Sequence, residues 1–115
     1  MKTDVLETIE QIKAGLPRED LIALLTDKNQ SVRGSAIQSL VERFGDDAAV
    51  VHDLQKFIEN PENRKPAMGT ISLSHLAMKL LADLQLPNAQ TVFESLKGTW
   101  PEADLADLQW FLSHG

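Results

Sequence analysis

The sequence contains no cysteine, which excludes a disulfide framework, a thiol nucleophile and a thiolate metal site. Positive charge is also scarce: 11 lysines and arginines stand against 17 aspartates and glutamates, a formal charge of −6. Binding to a phosphate backbone requires clustered cations that displace condensed counterions. Here the basic residues are spread singly among carboxylates, and Arg64-Lys65 is the one adjacent pair. Nucleic acid is therefore not an expected partner, whereas a basic protein is. No apolar run is long enough for a membrane span, and Asp4, Glu7 and Glu10 do not suit a secretory signal, so a cytoplasmic protein is expected. Gly-rich phosphate loops, Gly/Ser-rich linkers and alternating strand patterns are missing too. At 115 residues and 43% hydrophobic composition, the chain reads as a single all-α domain over 1–115 that needs no covalent staples.

What the sequence does contain is helical periodicity, clearest from Leu21 to Gly45. Leu21, Ile22, Leu24 and Leu25 form one apolar stripe, and Val32, Ala36, Ile37, Leu40, Val41 and Phe44 form a second at i, i+3, i+4 spacing. Between the stripes, Asp27, Asn29 and Ser31 are of the type that turns the backbone and caps helix N-termini. Gly45 stands where a left-handed residue would end the second helix. Similar patterns predict seven helices near 3–14, 17–27, 31–44, 47–59, 71–85, 88–97 and 101–113, and no β-sheet. Their expected end signals include Thr3 and Asp46 as N-caps, Pro17 in a first turn, Gly15 and Gly98 as stops, and a Thr99–Glu102 capping box with Pro101 at the first helical position.

The hairpin resembles the HEAT repeat, through the leucines of its first helix, Asp27 in the turn, Val32-Arg33 opening the second helix, then Ala36 and Leu40. An internal overlay extends the resemblance to Leu86. Val32, Ala36 and Leu40 match Leu73, Ala77 and Leu81 in identical steps, and Leu21, Leu24 and Leu25 match Leu54, Phe57 and Ile58. The resemblance implies a short right-handed stack of antiparallel helix pairs, an α-solenoid, with Asp27 and Arg33 in structural roles. From Pro87 onward the chain offers a third pair that lacks the Asp and Val-Arg features. In the last helix Trp110, Phe111 and Leu112 are consecutive and cannot all face one way. Trp110 is read as lying over the rim of its own core, the other reading being a dimer or partner contact.

Tests for chemistry fail one after another. Asp27, Asn29 and Ser31 imitate the start of a calcium loop, but the sixth position is Val32 instead of glycine and the twelfth is Gln38 instead of glutamate. His52, His75 and His114 are too dispersed for a zinc motif, so no metal and no cofactor is expected. Ser72, Ser74 and His75 share one helical turn and read as cap and surface residues; Asp46-Asp47 suits a helix start. The chain is accordingly read as a non-catalytic protein-interaction module, an adaptor or an immunity-type inhibitor of a basic protein, monomeric or weakly dimeric. The alternative is a HEAT-like subunit of a lyase- or glycosylase-type enzyme.

The resemblance assigns partner contacts to the second helices of the repeats. Gly34, Gln38 and Glu42 form one predicted solvent ridge, with His75, Lys79 and Asp83 as its counterpart. The long connection Asn60–Thr70 adds Arg64, Lys65 and Met68 beside that second ridge, and loop and ridge together are the expected contact surface.

Overall fold

The structure, a computed structural model, describes residues 4–114 apart from the side chains of Asp4 and Met68. It contains seven α-helices among those residues: α1 (Asp4–Gly15), α2 (Arg18–Leu24), α3 (Gln30–Phe44), α4 (Ala49–Glu59), α5 (Leu73–Asp83), α6 (Ala89–Lys97) and α7 (Glu102–His114). The expected all-α class therefore holds, with one correction. The expectation of no β-sheet is overturned in the connection after α4: Pro61–Arg64 is a 3-10 turn, and β1 (Pro66–Met68) pairs antiparallel with β2 (Ile71–Ser72). A two-residue turn with Gly69 at φ 62° joins these strands, a conformation that glycine adopts without steric cost. Pro66 is tolerated because a two-stranded ribbon consists only of edges.

The chain groups into two compact units, one up to Val50 and one from Val51 onward. In the first, α1 and α2 both pack on α3. Ile12, Leu21, Leu25, Val32, Ala36, Ile37 and Leu40 are buried there, as the i, i+3, i+4 stripes require. The turn before α3 is closed by its own polar side chains. Asp27 Oδ2 accepts from the Asn29 N–H (2.9 Å), Asn29 Oδ1 caps α3 by accepting from the Val32 N–H (3.1 Å), and Arg33 donates to the carbonyls of Asp27 and Lys28. Gly45 does not take the left-handed conformation expected of it: its φ is −69°, and the Asp47 N–H bonds back to the Phe44 carbonyl. Gly15, at φ 111°, ends α1 as anticipated.

In the second unit α5 is the hub, touching α6, α7, the 3-10 turn and β2. Val51, Leu54, Phe57 and Ile58 of α4 are buried, and Ser74 Oγ donates to the Ile58 carbonyl (3.0 Å). Three cap assignments change. Asp47, in place of Asp46, accepts from the Ala49 N–H at the start of α4 (2.9 Å). Thr99 Oγ1 donates back to the Leu96 carbonyl, and the Pro101 carbonyl accepts from the Leu105 N–H, so proline is itself the cap residue of α7. Pro17 plays that part for α2, its carbonyl accepting from Asp20 and Leu21. The assignment of Thr3 lies outside the described residues. No helix among the described residues is long and apolar enough to cross a membrane.

Candidate functional site

Two places collect polar side chains. The first is a half-open groove of about 410 Å³ between α1 and α3, lined by Ile12, Lys13, Ser35, Gln38, Ser39, Glu42 and Arg43. α3 contributes a ladder at i, i+3, i+4 and i+7, which places Ser35, Gln38, Ser39 and Glu42 along one flank. Ile12 is the one aliphatic wall residue, and it is itself buried. A guest would therefore be held by hydrogen bonds and charge. Lys13 and Arg43 supply cations and Glu42 an anion, with two hydroxyls and an amide between them. Arg43 is pre-positioned: its guanidinium donates to the Leu16 carbonyl and lies 4.9 Å over the Phe44 ring.

The second place is buried beneath the 60–72 connection. Ser72 caps α5 in a box whose third residue is His75: the His75 N–H donates to Ser72 Oγ (3.3 Å), and the Ser72 N–H donates to His75 Nδ1 (3.0 Å). With Nδ1 accepting, the ring carries its proton on Nε2, which donates to the Asp104 carbonyl (3.3 Å). The Trp100 ring meets His75 edge-on at 5.1 Å, and the Arg64 guanidinium covers Trp100 at 4.4 Å while pairing with the Asp104 carboxylate. Asn63, fully buried, donates from Nδ2 to the Phe57 carbonyl (3.0 Å). Ser72 Oγ and His75 Nδ1 are 2.9 Å apart, but both are buried and committed to the cap, so this pair forms no exposed nucleophile.

This geometry redistributes the predicted contact residues. Gln38 and Glu42 are exposed and line the groove, but Gly34, expected on the same ridge, is buried. His75 is only 2% exposed and Ser74 is buried, so neither is a surface residue and the His75–Lys79–Asp83 ridge does not exist as drawn. Covering by the 3-10 turn, β2 and α7 is the reason. Lys79 is half-buried, its Nζ 3.7 Å from the exposed Asp83 carboxylate. Arg64 is committed to Trp100 and Asp104, while Lys65 is exposed and paired with Glu62 at 3.1 Å. The Met68 side chain lies outside the described residues. Sequence reasoning missed Ser35, Ser39, Lys13 and Arg43, because it did not establish that α1 and α3 are neighbours.

The two loop cations should therefore behave differently on substitution. Arg64→Met keeps the apolar stem but loses the ion pair and the ring contact, and should cost about 1 kcal/mol of stability. Lys65→Ala, at an exposed pair, should leave the denaturant midpoint within error. Equal effects of the two, followed by tryptophan fluorescence, would mean that Arg64 is not anchored on Trp100.

No cluster of three or more histidine, aspartate or glutamate side chains suited to a metal ion occurs among the described residues. Comparison of the chain with protein-family models, curated proteins and solved structures returned no match.

Proposed function

We propose that the chain is a cytoplasmic, non-catalytic protein-interaction module of HEAT-like build, acting as an adaptor or as an inhibitor of a basic protein. The observation that carries this reading is the α1–α3 groove. It holds Gln38 and Glu42 on the second helix of the α2–α3 pair, where the HEAT resemblance puts partner contacts. The repeat reading draws support from burial as well. Val32, Ala36 and Leu40 are buried, and so are their overlay partners Leu73, Ala77 and Leu81, as equivalent positions of stacked helix pairs would be. Right-handed stacking of the pairs belongs to the proposal. A mixed-charge groove of this kind suits a polar stretch of polypeptide better than an apolar small molecule. The basic character of the partner rests on the chain's formal charge of −6 and not on the groove, where Lys13 and Arg43 outnumber Glu42.

The test is capture from host extract, with nucleic acid left intact, by the tagged full chain, alongside a Gln38→Ala, Glu42→Arg variant. A discrete protein retained by the parent, and reduced about tenfold or more by the variant, is the expected result. Retention of nucleic acid, or capture indifferent to both substitutions, would remove the reading. Unchanged helical circular dichroism in the variant separates lost contact from lost fold.

A further inference from the structure

Helix α7 buries little of itself: of its 13 residues only Leu108 is fully buried. At 100° per residue, Ala103, Ala106 and Trp110 fall on one outward stripe, and all three are exposed, Trp110 at 57%. The two alanines form a shelf low enough for another backbone to approach, and Trp110 stands as a wall at its end. That wall is already ordered. The indole is stacked on the His114 ring at 4.6 Å and 14°, and His114 Nδ1–H donates to the Trp110 carbonyl (2.9 Å), so Trp110 rests against a ring of its own helix. A pre-ordered aromatic loses little entropy when it is covered, which is what makes tryptophan an effective anchor.

Charge identifies what would cover it. Between Val51 and Lys97 basic and acidic side chains balance, but from Gly98 onward the sequence holds Glu102, Asp104 and Asp107 and no lysine or arginine. The negative excess of the second unit therefore belongs to α7. Arg64 answers Asp104, whereas Glu102 and Asp107 have no ion-pair partner among the described residues. On the helical wheel those two carboxylates flank the Ala103–Ala106–Trp110 stripe, one on each side. We propose that the outer face of α7 docks a basic amphipathic helix of a protein partner. Its apolar stripe would lie on Ala103, Ala106 and Trp110, and its lysines or arginines would reach Glu102 and Asp107. A second copy of α7 fits poorly, since it brings more carboxylates to the same edges. The inference shares with the interaction-module reading only the class of ligand, a basic protein; the surface is a different one.

The full chain is titrated with a synthetic leucine–lysine amphipathic helix of about 18 residues, long enough to span α7, and with its leucine–glutamate counterpart. Saturable micromolar binding of the lysine peptide alone is expected, with amide shifts confined to α7. Trp110→Ala should weaken binding about tenfold or more, as loss of an interface anchor does. Glu102→Gln with Asp107→Asn should weaken it severalfold, and so should raising salt from about 0.05 to 0.5 M. Equal binding of the glutamate peptide, no saturable binding, indifference to Trp110→Ala, or a concentration-dependent dimer that hides Trp110 would each overturn the proposal. If the peptide binding is instead lost in the Gln38, Glu42 variant and kept in Trp110→Ala, this inference fails while the groove reading stands. Host-protein capture insensitive to Gln38 and Glu42, with peptide binding still dependent on Trp110, is the opposite result.

Discussion

Leu81→Ala and Leu40→Ala should each lower stability by about 2–5 kcal/mol, the cost of removing a large aliphatic side chain from a site that cannot fully collapse. Both leucines are completely buried, Leu40 in α3, on which α1 and α2 pack, and Leu81 in α5, the hub of the second unit. Both tryptophans, Trp100 and Trp110, lie in the second unit, so the two substitutions can be followed separately. Leu81→Ala should shift the tryptophan-detected denaturation midpoint, and Leu40→Ala the midpoint seen by far-ultraviolet circular dichroism. Gln38→Ala and Asp83→Ala, at exposed positions on the same two helices, should shift neither by more than about 0.5 kcal/mol. A reversed ranking would place the apolar stripes of α3 and α5 in the wrong register.

That register was readable because apolar residues at four-residue steps have few ways to be buried together. The stripes through Val32, Ala36 and Leu40 and through Leu73, Ala77 and Leu81 are all inside. Polar positions were harder to read, since a period distinguishes one face of a helix from the other only where the far face meets solvent. His75 lies in the first turn of α5, and there the chain arriving from β2, the 3-10 turn and α7 covers the side that the period assigned to water. Nothing in the local pattern announces that cover, because Trp100 and Asp104 are supplied from far along the sequence.

A local signal did exist for the cap. Ser72 and His75 stand three apart, the spacing of a capping box, but histidine is not the usual reciprocal acceptor. The spacing at Thr99–Glu102 matched the usual residue types better, and yet the Thr99 hydroxyl turns back to close α6. The Asn60–Thr70 connection was legible as special, but not as ordered. Its prolines and glycine make a 3-10 turn and a hairpin because Asn63 finds the Phe57 carbonyl and Arg64 finds Trp100 and Asp104. Gln38 and Glu42 were found as an exposed ridge, and the groove they line depends on the packing of α1 against α3.

The buried histidine leads to the second large expected effect. His75→Ala should destabilise the chain by about 3 kcal/mol or more, since it opens a cavity and removes the acceptor of a buried backbone donor. The orphaned donor is the N–H of Ser72, a residue only 1% exposed, and removal of the ring also deprives the Trp100 edge and the Asp104 carbonyl of their partner. Two further variants separate volume from hydrogen bonding. His75→Leu fills most of the space but cannot accept from Ser72, so it should remain about 1–3 kcal/mol below the parent, the cost of an unmet buried donor. His75→Gln brings the ordinary capping-box acceptor to the same position and should recover part of that loss. Chemical denaturation followed by tryptophan fluorescence reads all three, because Trp100 touches the substituted site. If His75 lay on a solvent ridge, all three variants would fall within about 0.5 kcal/mol of the parent, as surface substitutions do. If His75→Gln proved no more stable than His75→Leu, the bond from Ser72 to Nδ1 would not be what holds the start of α5, and the ring would matter there only as filler.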